Sequence, residues 1–367
     1  MSRKHFSWLL GLTVVAAVVI GLMPERAGRQ DVFEKEVLLP DLAGRVNEID
    51  EIRVTAAGDK RVATLRRTDT RWTVEEAGGY PADWSRLRSL LADFAQAQVV
   101  EPKTANPEYY ERLGLRDVSD PDSAAVLIRL GGSEDATAVL VGESASNREG
   151  QYVRLADGDR ALLIDRALDV PAETRDWLDR DFIDIPESDV VEVTITHPDG
   201  DTVRLARVSA DESDFTLENL PPDREAESSW TVNAPAGGLG GLRLDEVRPA
   251  TDADFEAPVA YELLTADGLR VTAELSESDE QHWIRLHAVA DANLSGESGA
   301  ADAAEGGAST EPGAEESDES APVSATERAA DINARVGGWA YAIPKYKFDV
   351  LTRRLEDLLK PLPEAED

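Results

Sequence analysis

Nucleophiles, acid–base pairs and metal ligands at workable spacing are scarce in this chain. Its four histidines are His5, His197, His282 and His287. His282 and His287 lie five apart on a predicted strand, so alternation sends them to opposite faces and they cannot share a metal there. Gly142-Glu143-Ser144-Ala145-Ser146 resembles a nucleophile elbow but lacks the closing glycine and a following helix, so no catalytic serine is read from it. Gly237-Gly238-Leu239-Gly240-Gly241 has neither dinucleotide-binding spacing nor a phosphate-loop lysine. Asp157-Gly158-Asp159 and Asp199-Gly200-Asp201 present carboxylates as a calcium loop does. Neither runs on to a terminal glutamate, and Asp-Gly is a standard hairpin turn. Carboxylates for glycoside hydrolysis are plentiful, but no pair stands out. Arg154 and Arg285 sit in matching tetrads, Tyr152-Val153-Arg154-Leu155 and Trp283-Ile284-Arg285-Leu286. They are the candidate partner contacts, and the competing reading makes each a cross-strand ion pair. No catalytic residue, metal ligand or cofactor is expected.

Composition narrows the partners. The 367 residues carry 73 acidic and 38 basic side chains, a formal charge of −35, and no cysteine. That balance argues against nucleic acid, whose phosphates need lysine and arginine. It argues equally against the body of the chain lying on anionic lipid. Without cysteine there is neither a disulfide nor thiol chemistry. The stretch 6–23, opening on Phe6 and closing on Met23, is uncharged and as a helix spans ~27 Å, close to the ~30 Å core of a bilayer. Arg3 and Lys4 precede it, and Pro24-Glu25-Arg26 stands where a secretory signal has small residues. The expectation is an uncleaved, single-pass anchor in a bacterial inner membrane, with the bulk of the chain in the periplasm. A cleaved signal peptide is the competing reading.

The elements that position these residues read as an α+β protein. An N-terminal transmembrane helix leads to two related β-rich lobes of antiparallel hairpins with packed helices. The expected divisions are an anchor with flanks at 1–30, a stalk at 31–45, and repeats at 46–186 and 187–360. An acidic insertion at 293–324, poor in large apolar residues, is expected to be disordered, and 361–367 is a tail. Ile52-Arg53-Val54 and Val62-Ala63-Thr64-Leu65 form a hairpin, and Trp72-Thr73-Val74-Glu75 extends the sheet. Pro81 is read as opening a helix that buries Trp84, Leu87, Leu90, Leu91 and Phe94. Further helices are expected at 173–182 and 347–359. The order restarts at Val193, about 140 residues after Ile52, which reads as an internal duplication. In the second copy the glycine cluster stands where the first has its leucine-rich helix, at a cost of ~1 kcal/mol per glycine to helix formation.

Tyr110-Glu111-Arg112-Leu113-Gly114-Leu115, then Tyr152-Val153-Arg154-Leu155, then Trp177-Leu178-Asp179-Arg180 leading to Ile185-Pro186, resemble the domain-of-unknown-function 4340 family over about 46–359. The resemblance implies a membrane-anchored extracytoplasmic protein associated with gliding-motility-type ABC transporters. It brings no catalytic residues. The resulting expectation is a non-enzymatic accessory of an ABC-type transport system whose partners are transporter subunits. A binding module for a glycan or other small molecule comes second, and a carboxylate hydrolase third.

Overall fold

Period-two alternation of apolar residues builds most of the chain into strands. In β2 (Glu51–Ala56) and β3 (Lys60–Arg67), Ile52 faces Leu65 and Val54 faces Ala63. The turn between them places Gly58 at φ 68°, a conformation that glycine adopts without strain. The computed structural model describes residues 36–291 and 324–361, apart from 70, 134–135, 147–148, 210 and 279. The expected anchor, the insertion up to residue 323 and the tail from residue 362 lie outside the described residues. Among the described residues no helix is long and apolar enough to cross a membrane.

Lobe 1 adds β1 (Glu36–Val37), β4 (Trp72–Val74), β5 (Tyr80–Pro81), β6 (Gln98–Pro102), β7 (Val126–Leu130), β8 (Thr137–Ser144), β9 (Gln151–Leu155) and β10 (Ala161–Ile164). Its sheet runs β1-β6-β10-β9-β8-β7-β2-β3-β4-β5. Lobe 2 contains β12 (Val190–Thr196), β13 (Thr202–Ala206), β14 (Thr216–Leu217), β16 (Glu246–Pro249), β17 (Val259–Thr265), β18 (Leu269–Ser278), β19 (Gln281–Ala290) and β20 (Trp339–Ala342). Its sheet runs β14-β13-β12-β17-β18-β19-β20-β16. Read from β4 to β6, the first sheet visits its strands in the same order as the second. A two-stranded sheet of β11 (Asp181–Ile183) and β15 (Leu242–Arg243) links the lobes. One continuous apolar core runs through both.

The helices are α1 (Leu42–Arg45), α2 (Trp84–Gln96), α3 (Ser229–Asn233), α4 (Ala325–Val336) and α5 (Lys345–Leu351). In α2, Leu87, Leu90, Leu91 and Phe94 are buried as their spacing predicts. Asp83, not Pro81, starts the helix, accepting the Arg86 N–H at 3.0 Å. Pro81 belongs to β5, and Trp84 is 53% exposed instead of facing the core.

Three other expectations change. The chain is already seated at Glu36, where β1 pairs with β6 and Leu38 and Leu39 are buried, so 36–45 is part of lobe 1 and not a stalk. The expected helix at 173–182 is a short 3-10 turn, Thr174–Trp177, followed by β11. The Trp177 indole N–H donates to the Pro171 carbonyl at 3.1 Å and the strand pairs with β15, so tertiary contacts override helix propensity. The expected helix at 347–359 stops at Leu351, because Arg354 turns out to meet Asp199 at 2.8 Å and a 3-10 turn, Glu356–Leu358, follows. The sequence reading placed no helix at α4. Its signal was Ser324 three residues before Glu327, which form a complete capping box.

Candidate functional site

Aromatic residues form the junction between the lobes. Tyr80 meets Trp339 edge-on at 5.1 Å and Tyr341 at 6.0 Å, while Phe182 stacks on Tyr341 at 3.9 Å. Each such pair contributes about 0.5–1.5 kcal/mol beyond the area it buries. The Tyr341 hydroxyl donates to the Arg335 carbonyl at 3.4 Å, and burial pushes both Tyr80 and Tyr341 far above the ordinary tyrosine range. Gly78 lies against the ring of Pro249 and the Trp339 indole, so the junction closes tightly on this side.

Beside this wall opens a cleft of about 440 Å³, lined by the start of α2 and by the linker from Asp176 to Asp181. Trp84 stands exposed on its rim. Arg180 reaches across to lobe 2, donating to the Leu244 carbonyl at 2.9 Å and pairing with Asp245 at 3.3 Å. Arg243 pairs with Asp181 at 2.8 Å, and Arg86 pairs with Asp169. Burial holds the Asp179 carboxyl above its ordinary value; Arg335 opposes this, and Asp83 and Asp181 add to it by repulsion. Chemically, the cleft offers an indole platform, carboxylate acceptors and guanidinium donors held in place by ion pairs. Among the described residues no group of histidines and carboxylates is placed to hold a metal ion.

A larger cleft, about 1460 Å³, lies at one end of lobe 1. Leu38, Leu39 and Leu42 after β1, the start of β2, the β7–β8 turn and Leu155 to Asp157 form its walls. Arg45, Arg66, Arg67 and Arg129 also line it. Glu51, buried beneath, pairs with Arg53 and, at 3.1 Å, with Arg66.

Neither candidate arginine lines either cleft; each lies over an aromatic ring of the loop that enters β7 or β17. The Arg154 guanidinium is 4.9 Å from the Tyr110 ring and donates to the Gly158 carbonyl at 2.9 Å. Arg285 is 4.6 Å from the Phe255 ring and pairs with Glu274, its cross-strand neighbour. Arg154 is buried, whereas the Arg285 side chain is 42% exposed.

The remaining sequence candidates have structural surroundings. His282 stacks on Phe348 at 4.6 Å, and His287, on the same strand, is exposed. His197 is buried near the Arg353 carbonyl at 3.4 Å. Asp199 is held below the usual carboxylate range first by the Asp201 backbone N–H and then by Arg354. Gly142 ends against the Leu113 carbonyl, which a β-carbon would strike, so this glycine allows Leu113 and Gly114 to close on β8. The glycine cluster wraps Lys347, whose ammonium donates to the Gly240 carbonyl at 2.6 Å and the Gly238 carbonyl at 3.4 Å. Burial lowers the Lys347 pKa.

Sequence reasoning missed a second arginine pair. Arg67 donates to the Asn47 carbonyl at 2.7 Å, and Arg207 donates to the Ser188 carbonyl at 2.6 Å. Each grips the 3-10 turn that precedes the first long strand of its lobe. The interlobe cleft was signalled only by Trp177-Leu178-Asp179-Arg180, three of whose residues line it.

Fold and site together define a two-lobed, β-rich module with a charged cleft at its junction. The family model "Domain of unknown function (DUF4340)" matches residues 72–263, just over half of the chain. The chain belongs to that family, and all of the interlobe cleft falls within the matched span. No curated protein and no solved structure matches it.

Proposed function

We propose that this protein is a non-enzymatic envelope component, tethered through 6–23, whose two lobes arose by duplication and serve as a contact module for an ABC-type transport system. The duplication is supported by the shared strand order. Matching details add to it: Arg154 over Tyr110 and Arg285 over Phe255, and Arg67 and Arg207 on equivalent turns. Two isolated bridges, Ala82 with Leu178 and Ala226 with Leu359, also occupy the same place in their lobes.

The observation that carries the contact role is the organisation of charge at the junction. Arg86, Arg180 and Arg243 are all engaged in ion pairs that fix one lobe or link to the other. A two-lobed body with one continuous apolar core and with exposed Trp84 and Trp230 suits binding. The test is purification of the full-length chain from detergent-solubilised membranes after cross-linking. Recovery of ABC-transporter subunits is expected. Recovery of the chain alone, or from the soluble fraction, would defeat the reading.

Trp84 at the mouth of the interlobe cleft favours a second reading, a receptor for a glycan stacked on the indole. Titration with oligosaccharides should then quench tryptophan fluorescence in the parent chain and not in Trp84→Ala.

A further inference from the structure

The interlobe cleft carries negative charge that its own arginines do not answer. Asp83, Asp176, Asp179 and Asp181 line it against Arg86, Arg180 and Arg243. Two of these arginines make their closer contacts with carboxylates outside the lining: Arg86 with Asp169, and Arg180 with Asp245 at 3.3 Å. Inside the cleft they approach Asp83 and Asp176 only to 4.0 and 3.9 Å. Arg243 is taken by Asp181 at 2.8 Å. Asp179 forms no ion pair among the described residues, and Arg335 acts on it only through space. Desolvation holds its carboxyl above the ordinary value, as befits an anion that no cation meets.

The walls choose among cations. Among the described residues no three carboxylates converge to hold a metal ion, so a divalent cation finds no cage here. The apolar part of the lining is Ala82, Leu178 and the Trp84 indole, which is 53% exposed. Such a face takes an aliphatic stem, and the ring attracts a cation held over it. The volume of about 440 Å³ lies near the small end of ligand pockets, which run from roughly 300 to 1,000 Å³. It has room for an extended side chain with its flanking backbone, not for a helix. An ammonium is a point charge without the planar demands of a guanidinium, which suits carboxylates that do not converge. A neutral sugar would cover the indole and leave Asp179 desolvated without a counter-charge.

We infer that the interlobe cleft receives a lysine side chain from a basic segment of a partner protein, its stem along Trp84 and its ammonium at Asp179. A chain of net charge −35 also draws a basic partner toward it over longer distances. The inference rests on the contact role proposed above and names the chemistry of that contact.

The test uses the full-length chain in detergent and the blocked tripeptide acetyl-Gly-Lys-Gly-amide, titrated by calorimetry at physiological salt. Saturable binding is expected. Acetylating the lysine ammonium should weaken it about tenfold or more. Asp179→Asn should weaken it about as much, and Trp84→Ala severalfold. Asp211→Asn removes the same charge from an exposed turn of lobe 2 and should bind as the parent does. No binding, equal binding of the acetylated peptide, or unchanged affinity in Asp179→Asn would each overturn the inference. Equal weakening by Asp211→Asn would reduce the effect to net charge and overturn it too. Should Asp179→Asn fold poorly, the acetylated peptide decides on the parent chain alone. Oligosaccharide binding with no response to the peptide would assign the cleft to the glycan reading instead. Cross-linking parent and Asp179→Asn chains side by side keeps this failure apart from failure of the contact role. Transporter subunits recovered equally from both leave the contact role standing and remove this site from it. None recovered from either, with the peptide still bound, removes the transporter and leaves the lysine site.

Discussion

Asn333 offers the sharpest check on how lobe 2 is closed. β20 pairs with β19 only at Trp283 and Ile284, so the rest of that edge of β19 has to be covered by other means. At Ala288 the Asn333 amide takes the place of a neighbouring strand, with bonds of 2.6 and 2.9 Å. Ala288 is 1% exposed, so water cannot replace the amide. Leaving a buried donor or acceptor unsatisfied costs about 1–3 kcal/mol. Asn333→Leu keeps the branched shape and removes both bonds, so it should cost roughly 2–4 kcal/mol, allowing for relaxation of α4. Asn333→Ala should cost at least as much. Chemical denaturation measures the loss, and hydrogen exchange should show the Ala288 amide losing protection while β18 stays protected. An Asn333→Leu protein within about 0.5 kcal/mol of the parent, with Ala288 still protected, would refute the edge-closing role; ordinary surface substitutions fall in that range.

Four further outcomes follow from the same geometry. Tyr80, Tyr261 and Tyr341 are all pushed above the ordinary tyrosine value by burial, so the folded state holds their protons more tightly than the unfolded state. Stability should be unaffected by these groups below about pH 10 and fall as pH rises beyond it, with tyrosinate absorbance appearing only as the chain unfolds. Asp179→Asn removes a charge that burial disfavours, so it should leave stability unchanged or raised at neutral pH and remove part of the gain on acidification; acid titration of the melting temperature checks this. Arg154→Ala should cost about 1–2 kcal/mol and speed hydrogen exchange in the loop 103–124, whereas the more exposed Arg285→Ala should cost less. Lys347→Met strands carbonyls of the glycine cluster and should destabilise by about 1–3 kcal/mol, seen as faster exchange across 237–241.

Local pattern revealed the hairpins well. Ile52, Val54, Ala63 and Leu65 pair as their alternation implies, and Asp267-Gly268 turns β17 into β18. The buried face of α2 was legible for the same reason, since 3.6-residue spacing is a local property. Trp84 escaped because an indole at the first helical position can point to solvent, and periodicity alone does not locate the partner surface. The stretch 173–182 misled because its path is fixed by β15, some sixty residues later. Of the interlobe cleft the sequence carried only the tetrad Trp177-Leu178-Asp179-Arg180, because Asp83, Asp179 and Arg243 come together only through the tertiary fold. Arg154 and Arg285 were read as a matching pair from their tetrads, but their aromatic partners, Tyr110 and Phe255, lie in loops of unequal length and were not anticipated.

The bridge between Ala226 and Leu359 has a consequence for assembly. Two residues before the matching bridge in lobe 1 stands Tyr80, which receives the aromatic edge of lobe 2. Two residues before Ala226 stands Arg224, locked to Glu356 at 2.8 Å, with Lys360 and Glu225 alongside at 2.8 Å. Any surface packing onto that bridge would first have to strip water from these charges, a cost that the aromatic edge meeting Tyr80 does not face.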